Sequence, residues 1–402
     1  MEKPSWSLKD AGRIYLDHNA TTPPLQSIVE RLPEWAGKWG NPSSVHWSGR
    51  GPKNLLREAR ENLARFIGCH PLELIFTSGG SESNNAVIKG VFAQFRESPR
   101  NEYITSNVEH PSVTQCFNWI RENGGIVHVV SVDRGGRVDL YQYKQFLSDR
   151  TAFVSIMAAN NETGTLFPIA EMAQMAHEVG AKFHTDAVQI LGKIPIHVEH
   201  WGVDYATFAS HKMYALKGVG IIYAKKGERL TSLIHGGGQE RGRRAGTENI
   251  LALAAFSAAA FEHMNKIEEH SERMRELRDY FEHDLLARVS GVSLTGADSA
   301  RLPNTSSLVI DDIDGESLLM NLDLEGVSVS TGAACSSGNP EPSPVLIAMG
   351  LSRQEAQSSL RVSLGWSTTK SEITRFITML ESIIVRLRDL RDSYRENVRA
   401  TK

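Results

Sequence analysis

Leu74-Ile75-Phe76-Thr77-Ser78-Gly79-Gly80-Ser81-Glu82-Ser83 passes from an apolar, β-rich stretch through two glycines and small polar residues into a helical pattern. Residues 86–95 carry that pattern on, with Val87, Ile88, Val91, Phe92 and Phe95 on one face. Glycine lets the backbone come close to an anion, and a helix start offers N–H groups that have no partner inside the helix. The stretch therefore suits a phosphate cup, although it is not a Walker loop, because the lysine is missing. Taken alone, it suits equally a tight turn with an ordinary serine cap. Working outward, short β-rich runs recur at residues 103–105, 126–130, 153–158, 183–185, 205–209 and 219–224, with amphipathic helical patterns such as 169–179 between several of them. This rhythm predicts an α/β fold, a mostly parallel sheet with helices on both faces.

From about residue 262 the character changes. A charged helical pattern spans 263–289, strand-like pieces follow at 305–310 and 327–330, and an amphipathic helix closes the chain at 371–390. Ile373, Phe376, Ile377, Leu380, Ile383, Ile384 and Leu387 form its inner stripe, which reads as core packing. The expected organisation is a large domain over residues 14–262 and a smaller α+β domain formed by 1–13 with 263–402.

The chain has 402 residues, enough for two domains or one large one, and its 41% hydrophobic and 23% charged content is that of a soluble globular protein. A net charge of −3 gives no general attraction to nucleic acid. The three cysteines, Cys69, Cys116 and Cys335, are too few and too odd in number for a disulfide framework or a zinc cluster. Reduced thiols in the cytoplasm and no metal are expected. Residues 1–10 lack the apolar segment of a secretory signal. No run approaches the roughly 18 apolar residues of a spanning helix, and residues 251–261 read as a buried helix instead.

Two further strand ends carry chemistry. In Phe183-His184-Thr185-Asp186-Ala187-Val188-Gln189 the aspartate closes an apolar strand, where open α/β sheets bind ligands. A carboxylate there can keep a pyridinium nitrogen protonated and so make the ring an electron sink; a helix N-cap is the plainer use. In Phe208-Ala209-Ser210-His211-Lys212 a lysine follows a buried strand. Lysine is rarely buried without cause, and a Schiff-base lysine supplies one, although a lone lysine is more often a surface residue. The weight lies in the combination of glycine cup, Asp186 and Lys212 in one α/β domain.

With these stretches in place, the chain resembles the pyridoxal-phosphate enzymes of fold type I, in the class V aminotransferase group, and within it the cysteine desulfurases of the NifS/IscS type. The resemblance runs from about Tyr15 to Leu390. It is carried by residues 15–23 (Tyr-Leu-Asp-His-Asn-Ala-Thr-Thr-Pro), Gly40-Asn41-Pro42-Ser43-Ser44, the 79–85 cup, Glu109-His110, and Asn160-Asn161-Glu162-Thr163-Gly164. Asp186 to Gln189, Ser210-His211-Lys212, residues 235–242 (His-Gly-Gly-Gly-Gln-Glu-Arg-Gly), residues 244–249 (Arg-Ala-Gly-Thr-Glu-Asn), Cys335 and Arg361 complete it. It implies pyridoxal 5'-phosphate as cofactor, linked to Lys212. Gly80, Ser81 and His211 would hold the phosphate with Ser210 close by, and Thr247 would reach the phosphate of a partner subunit, which implies a homodimer with interface sites. His110 would stack on the ring, Asp186 would pair with the ring nitrogen and Gln189 with the phenolic oxygen. Asn19, Asn161 and Arg361 are the implied substrate-binding residues, Asn161 being implied at the cofactor as well and Arg361 acting by a two-pronged contact with the carboxylate. A buried arginine in Ser359-Leu360-Arg361-Val362-Ser363 needs an anion on physical grounds as well. Two departures stand out: Ala209 where the family usually has serine, and Ala215-Leu216-Lys217-Gly218 where it often has Gly-Pro-Lys-Gly.

Cys335 decides the reaction. Cys69 and Cys116 sit among apolar residues and read as buried small hydrophobes. Cys335 lies in Ser330-Thr331-Gly332-Ala333-Ala334-Cys335-Ser336-Ser337-Gly338, which has no apolar periodicity, reads as a mobile loop and resembles the family's long-loop branch. A thiol in such a place is a liability unless it reacts. The expectation is that L-cysteine displaces Lys212 from the cofactor and the freed amine moves the Cα proton. His110 would assist with a proton, and Cys335 would take the sulfur as a persulfide, leaving alanine. A protein acceptor would then receive the sulfur. Selenocysteine lyase, cystine β-lyase, a transaminase or a relay scaffold without turnover would use much of the same set; the placement of Cys335 favours desulfuration.

Overall fold

The computed structural model describes residues 12–332 and 341–400, the stretch from 394 by its backbone alone. A seven-stranded sheet organises the first part of the chain, in the order Leu74–Thr77, Gly220–Ala224, Tyr205–Ala209, Lys182–Asp186, Thr151–Ser155, Glu102–Ser106, Ile126–Val130. The strand Gly220–Ala224 runs antiparallel to both its neighbours; the remaining pairings are parallel. Most strands are buried along their whole length, as a sheet covered on both faces requires. Helices Gly80–Phe95 and Pro111–Glu122 pack Val87, Ile88, Val91, Phe117 and Ile120 on one face, and helices Trp47–Ile67, Ile169–Glu178 and Ile250–His263 contribute to the core on the other. Residues 251–261 fall in the last of these, and its burial nearly all round fits the absence of an amphipathic pattern.

A second core lies around a three-stranded antiparallel sheet, Ser359–Ser363, Thr305–Ile310 and Val292–Leu294. Helices Ile267–Arg288 and Lys370–Ala400 bury Leu277, Phe281, Phe376, Ile377 and Leu380 against it. Ile14 and Leu16 join this cluster, because the short strand Ile14–Tyr15 pairs in parallel with Val327–Ser328. The pattern read as one helix over 263–289 proves to be the end of Ile250–His263, a turn at Met264–Lys266 and a new helix from Ile267. The run at 153–158 is shifted: its strand is Thr151–Ser155, and Met157 belongs to a cavity wall.

One close approach places the cup. A Cβ on Gly220 would stand 2.6 Å from the Gly79 carbonyl carbon, so two glycines let the strand Gly220–Ala224 lie directly against the loop. Among the described residues, no helix is long and apolar enough to cross a membrane, and no group of three or more His, Cys, Asp or Glu is placed to hold a metal.

Candidate active site

A cavity of about 310 Å³ opens at the carboxyl ends of the parallel strands, and Gly80, Ser81, His110, Asp186, Gln189 and Lys212 are in its wall. Asn161, Ala209 and His211 border it too. One end is the start of helix Gly80–Phe95, where no side chain caps the first turn. The plainer reading of this stretch as a serine-capped turn therefore does not hold. Gly80 and Ser81, the first residues of this uncapped helix, border the cavity, an anion-binding arrangement.

Asp186 is the last residue of its strand and 6% exposed. Its carboxylate accepts from Asn84 Nδ2 at 2.7 Å and from the Val188 N–H at 3.0 Å. Asn84 is fixed in turn by Thr207 Oγ1, which donates to its carbonyl oxygen at 2.5 Å. Asp186 forms no ion pair with a described residue, so a buried carboxylate borders the cavity without a cation of its own. A protonated pyridine nitrogen fits that demand.

Lys212 ends a short 3₁₀ turn, Ser210–Lys212, that directly follows the strand Tyr205–Ala209. Its Nζ donates to the backbone carbonyls of Asn19 at 2.5 Å and Ala20 at 2.7 Å. Burial first, and then the nearby Arg361 cation, lower its pKa to about 8, against the pull of Asp17 and Asp186. Its neighbour His211 is lowered to about 4 by burial and by Lys212 and Lys217, and its Nδ1 lies 3.2 Å from Thr21 Oγ1. His110 starts the helix Pro111–Glu122, and its Nδ1 accepts from the Ser112 N–H at 3.1 Å, so the neutral ring carries its hydrogen on Nε2. Loss of hydration holds it below the usual histidine range, with Asp186 opposing.

Some expected residues stand elsewhere. Ser210 is buried, and its hydroxyl, with one hydrogen to give, lies between the carbonyls of Leu216 and, at 2.9 Å, Val219. It ties the 215–218 turn to the lysine segment, while Ala209 takes the place at the cavity. Arg361 is absent from the cavity lining and already has an anion: Nη2 donates to Asp17 Oδ1 at 2.7 Å and Nη1 to the Asn161 carbonyl at 3.1 Å. Its buried Nε has no partner. Thr247 is exposed and borders a separate hollow with Ser78, Gly218 and Arg244. Asn19 is buried, and its amide donates to the Asn161 carbonyl at 3.1 Å and Thr305 Oγ1 at 2.9 Å. Cys335 lies outside the described residues. Burial raises the other thiols, that of Cys116 to about 11, which suits packing rather than reaction.

Asn84, Asp17 and Lys193 were given no role on sequence grounds. Asn84 had a signal, its place inside the 79–85 stretch, one helical turn after Gly80. Lys193 had one too, four residues after Gln189, but a lysine beside a glycine looks like surface.

The pattern of the aminotransferase class-V family matches residues 14–376. The chain is 44% identical over 379 residues to "Cysteine desulfurase IscS" of Dictyoglomus turgidum, covering 94% of this chain and 96% of that one. It is 41% identical over 379 residues to "Cysteine desulfurase NifS" of Azotobacter vinelandii, with 94% of each covered. A solved structure titled "NIFS-LIKE PROTEIN" superposes with a TM-score of 0.87 at 36% identity, over 93% of this chain and 99% of that one. With an uncapped helix start, a cation-free aspartate and a low-pKa lysine around one cavity, and with similarity over nearly its whole length, the chain belongs to the class-V aminotransferase family, among its NifS/IscS-type cysteine desulfurases.

Proposed function

We infer that this chain is a pyridoxal-phosphate-dependent cysteine desulfurase, converting L-cysteine to L-alanine with transfer of its sulfur to Cys335. The observation that carries the reading is the presence, in the wall of one cavity, of Lys212 with its lowered pKa and of the Asp186 carboxylate, which has no ion-pair partner among the described residues. The residues fit the cofactor: the start of helix Gly80–Phe95 with Ser81 and His211 suits the phosphate, Asp186 the ring nitrogen, Gln189 the phenolic oxygen and Lys212 the covalent link. When bound, pyridoxal phosphate supplies an electron sink for charge developing at the substrate Cα. Lys212 moves the Cα proton. His110, in the same cavity wall, would stack on the ring and, with its hydrogen on Nε2, would act as a donor rather than as an acceptor of the thiol proton. Arg361 meets the substrate carboxylate by exchanging or sharing its contact with Asp17, assisted by Asn161 and Asn19. The Cys335 thiolate forms an S–S bond to the substrate sulfur as the C–S bond breaks. The electron pair stays on carbon, which takes up a proton to become alanine.

The proposal extends to assembly. Thr247, exposed and away from the cavity, is suited to a partner subunit's phosphate, and the highly exposed apolar side chains Trp39, Val45 and Trp47 support a covered surface in a homodimer. A protein acceptor for the persulfide and a cytoplasmic location belong to the same reading. Residues 14–262 would act as the cofactor-binding unit and the rest as the smaller one, with Ile14 and Leu16 packing on the smaller side. The test is incubation of the purified protein with L-cysteine and a thiol reductant. Alanine and sulfide are expected in equal amounts; pyruvate and ammonia in their place would reject the reading.

A further inference from the structure

Lys193 is 4% exposed, and its nitrogen meets amide oxygens instead of a carboxylate: Asn19 Oδ1 at 2.7 Å and Gln189 Oε1 at 2.8 Å. A lysine taken this far out of water needs a compensating purpose. Burial, with the cations of Lys212 and Arg361, pushes its pKa well below the ordinary lysine value. Charged or neutral, the amine has hydrogens for both oxygens.

An amide side chain fits its site either way round, and only its partners decide which end is oxygen. Lys193 makes that decision for two of them. It lies four residues after Gln189 in a helical turn, so the two side chains share a face. With Oε1 held by Lys193, Gln189 Nε2 turns the other way and gives one hydrogen to the Asn19 carbonyl at 3.1 Å. Its second hydrogen remains, and Gln189 borders the cavity. Asn19 is set in the same way: Oδ1 takes hydrogens from Lys193 and, at 3.2 Å, from Asn304, so that Nδ2 faces Asn161 and Thr305. The Asn19 carbonyl that receives Gln189 also receives the Lys212 amine.

We propose that Lys193 is a positioning residue which, by holding the Gln189 and Asn19 amide oxygens, presents an N–H of Gln189, and not its carbonyl, to the negative phenolic oxygen of the cofactor. This rests on the cofactor reading given above. An N–H donor stabilises that oxygen most after the bound cofactor has lost its titrating proton, and so lowers the pH at which the visible band changes.

The test is a spectrophotometric pH titration of the cofactor-loaded protein. Lys193→Met keeps the length and removes the donors, and its midpoint should rise by about one pH unit, the scale of one hydrogen bond to a charged group. In a Gln189→Leu background, which alone raises the midpoint similarly, the added Lys193→Met change should move it by less than about 0.3 unit. Should Lys193→Met fail to fold, Lys193→Gln, with a shorter donor, carries the test: a smaller rise with Gln189 present and none without it. A midpoint indifferent to residue 193, or a shift that persists in full without Gln189, overturns the proposal. A wild-type protein with no visible band overturns the cofactor reading, and this proposal with it.

Discussion

Two lysines meet at one asparagine. Lys212 reaches the Asn19 backbone carbonyl and Lys193 its side-chain oxygen, yet one borders the cavity and the other is sealed from it. Both follow strands of the same sheet, Tyr205–Ala209 and Lys182–Asp186. Both are pushed toward the neutral amine by burial and by Arg361, and Lys193 by Lys212 as well. The difference is what lies in front of the nitrogen. Lys212 has only two backbone carbonyls and open space, so its amine is available to react. Lys193 has two side-chain amides, so its hydrogens are committed. Burial alone makes a lysine unusual; access decides whether it is a nucleophile or a fastener.

The largest expected effect is at the reacting nitrogen. Lys212→Ala should lose about 10⁴-fold or more in turnover, since one amine provides both the covalent link and the proton transfer. Borohydride reduction followed by peptide mapping should place the cofactor on Lys212; a label on Lys193 or Lys217 would erase the distinction between the two turns. Next comes Asp186→Asn, which keeps the hydrogen bonds to its surroundings in part but removes the charge. A loss of about 10²–10³-fold in kcat is expected, the scale of a preorganised electrostatic contact, and near-normal turnover would count against the ring-nitrogen role.

A pH profile sharpens the contrast. With a pKa of about 8, roughly a tenth of Lys212 is free amine at pH 7, against well under a thousandth for an ordinary lysine. Reloading of cofactor-free protein should therefore speed up with pH and level off above about 8. Arg361 is one of the two causes of the lowering, and removing a cation makes the protonated amine less costly. Arg361→Met should thus raise the Lys212 pKa and move the loading midpoint to higher pH, by up to about one unit. An unmoved or lowered midpoint in stopped-flow absorbance would contradict this. The smallest effect is at Ser210, which serves the turn and not the cavity. Ser210→Ala should cost about 1–2 kcal/mol of stability in a denaturant titration, with cofactor affinity within about twofold of wild type; a tenfold loss of affinity would return Ser210 to the cup.

The sheet was readable because its strands are short β-rich runs between helical periods, and residues 74–77, 126–130 and 205–209 end as the pattern says. The run 153–158 was not, since an unbroken apolar stretch has no period to separate the strand from the cavity wall beyond it. The turn at Met264–Lys266 was hidden for a packing reason: His263 and His270 both lie against Trp366, at ring-centroid distances of 4.0 and 4.8 Å, and no local signal announces that contact. In the site, Asp186, Lys212 and the cup were legible as residues that break the apolar rhythm at strand ends. The Asp17–Arg361 pair was not, because its members are 344 residues apart, and the turn contacts of Ser210 were not, because family order carries no side-chain orientation. Lys193 escaped because only the fold buries it.

The central claim is sulfur transfer to a protein thiol, and Cys335→Ser tests it most directly. Treated with L-cysteine, the wild-type protein should gain one sulfur on the peptide containing Cys335 and release alanine. Cys335→Ser should still load cofactor and still change its spectrum with cysteine, while releasing neither alanine nor sulfide at a useful rate, because a hydroxyl is a far poorer nucleophile toward sulfur than a thiolate. Pyruvate and ammonia formed at an undiminished rate by Cys335→Ser would contradict it, since elimination needs no protein thiol.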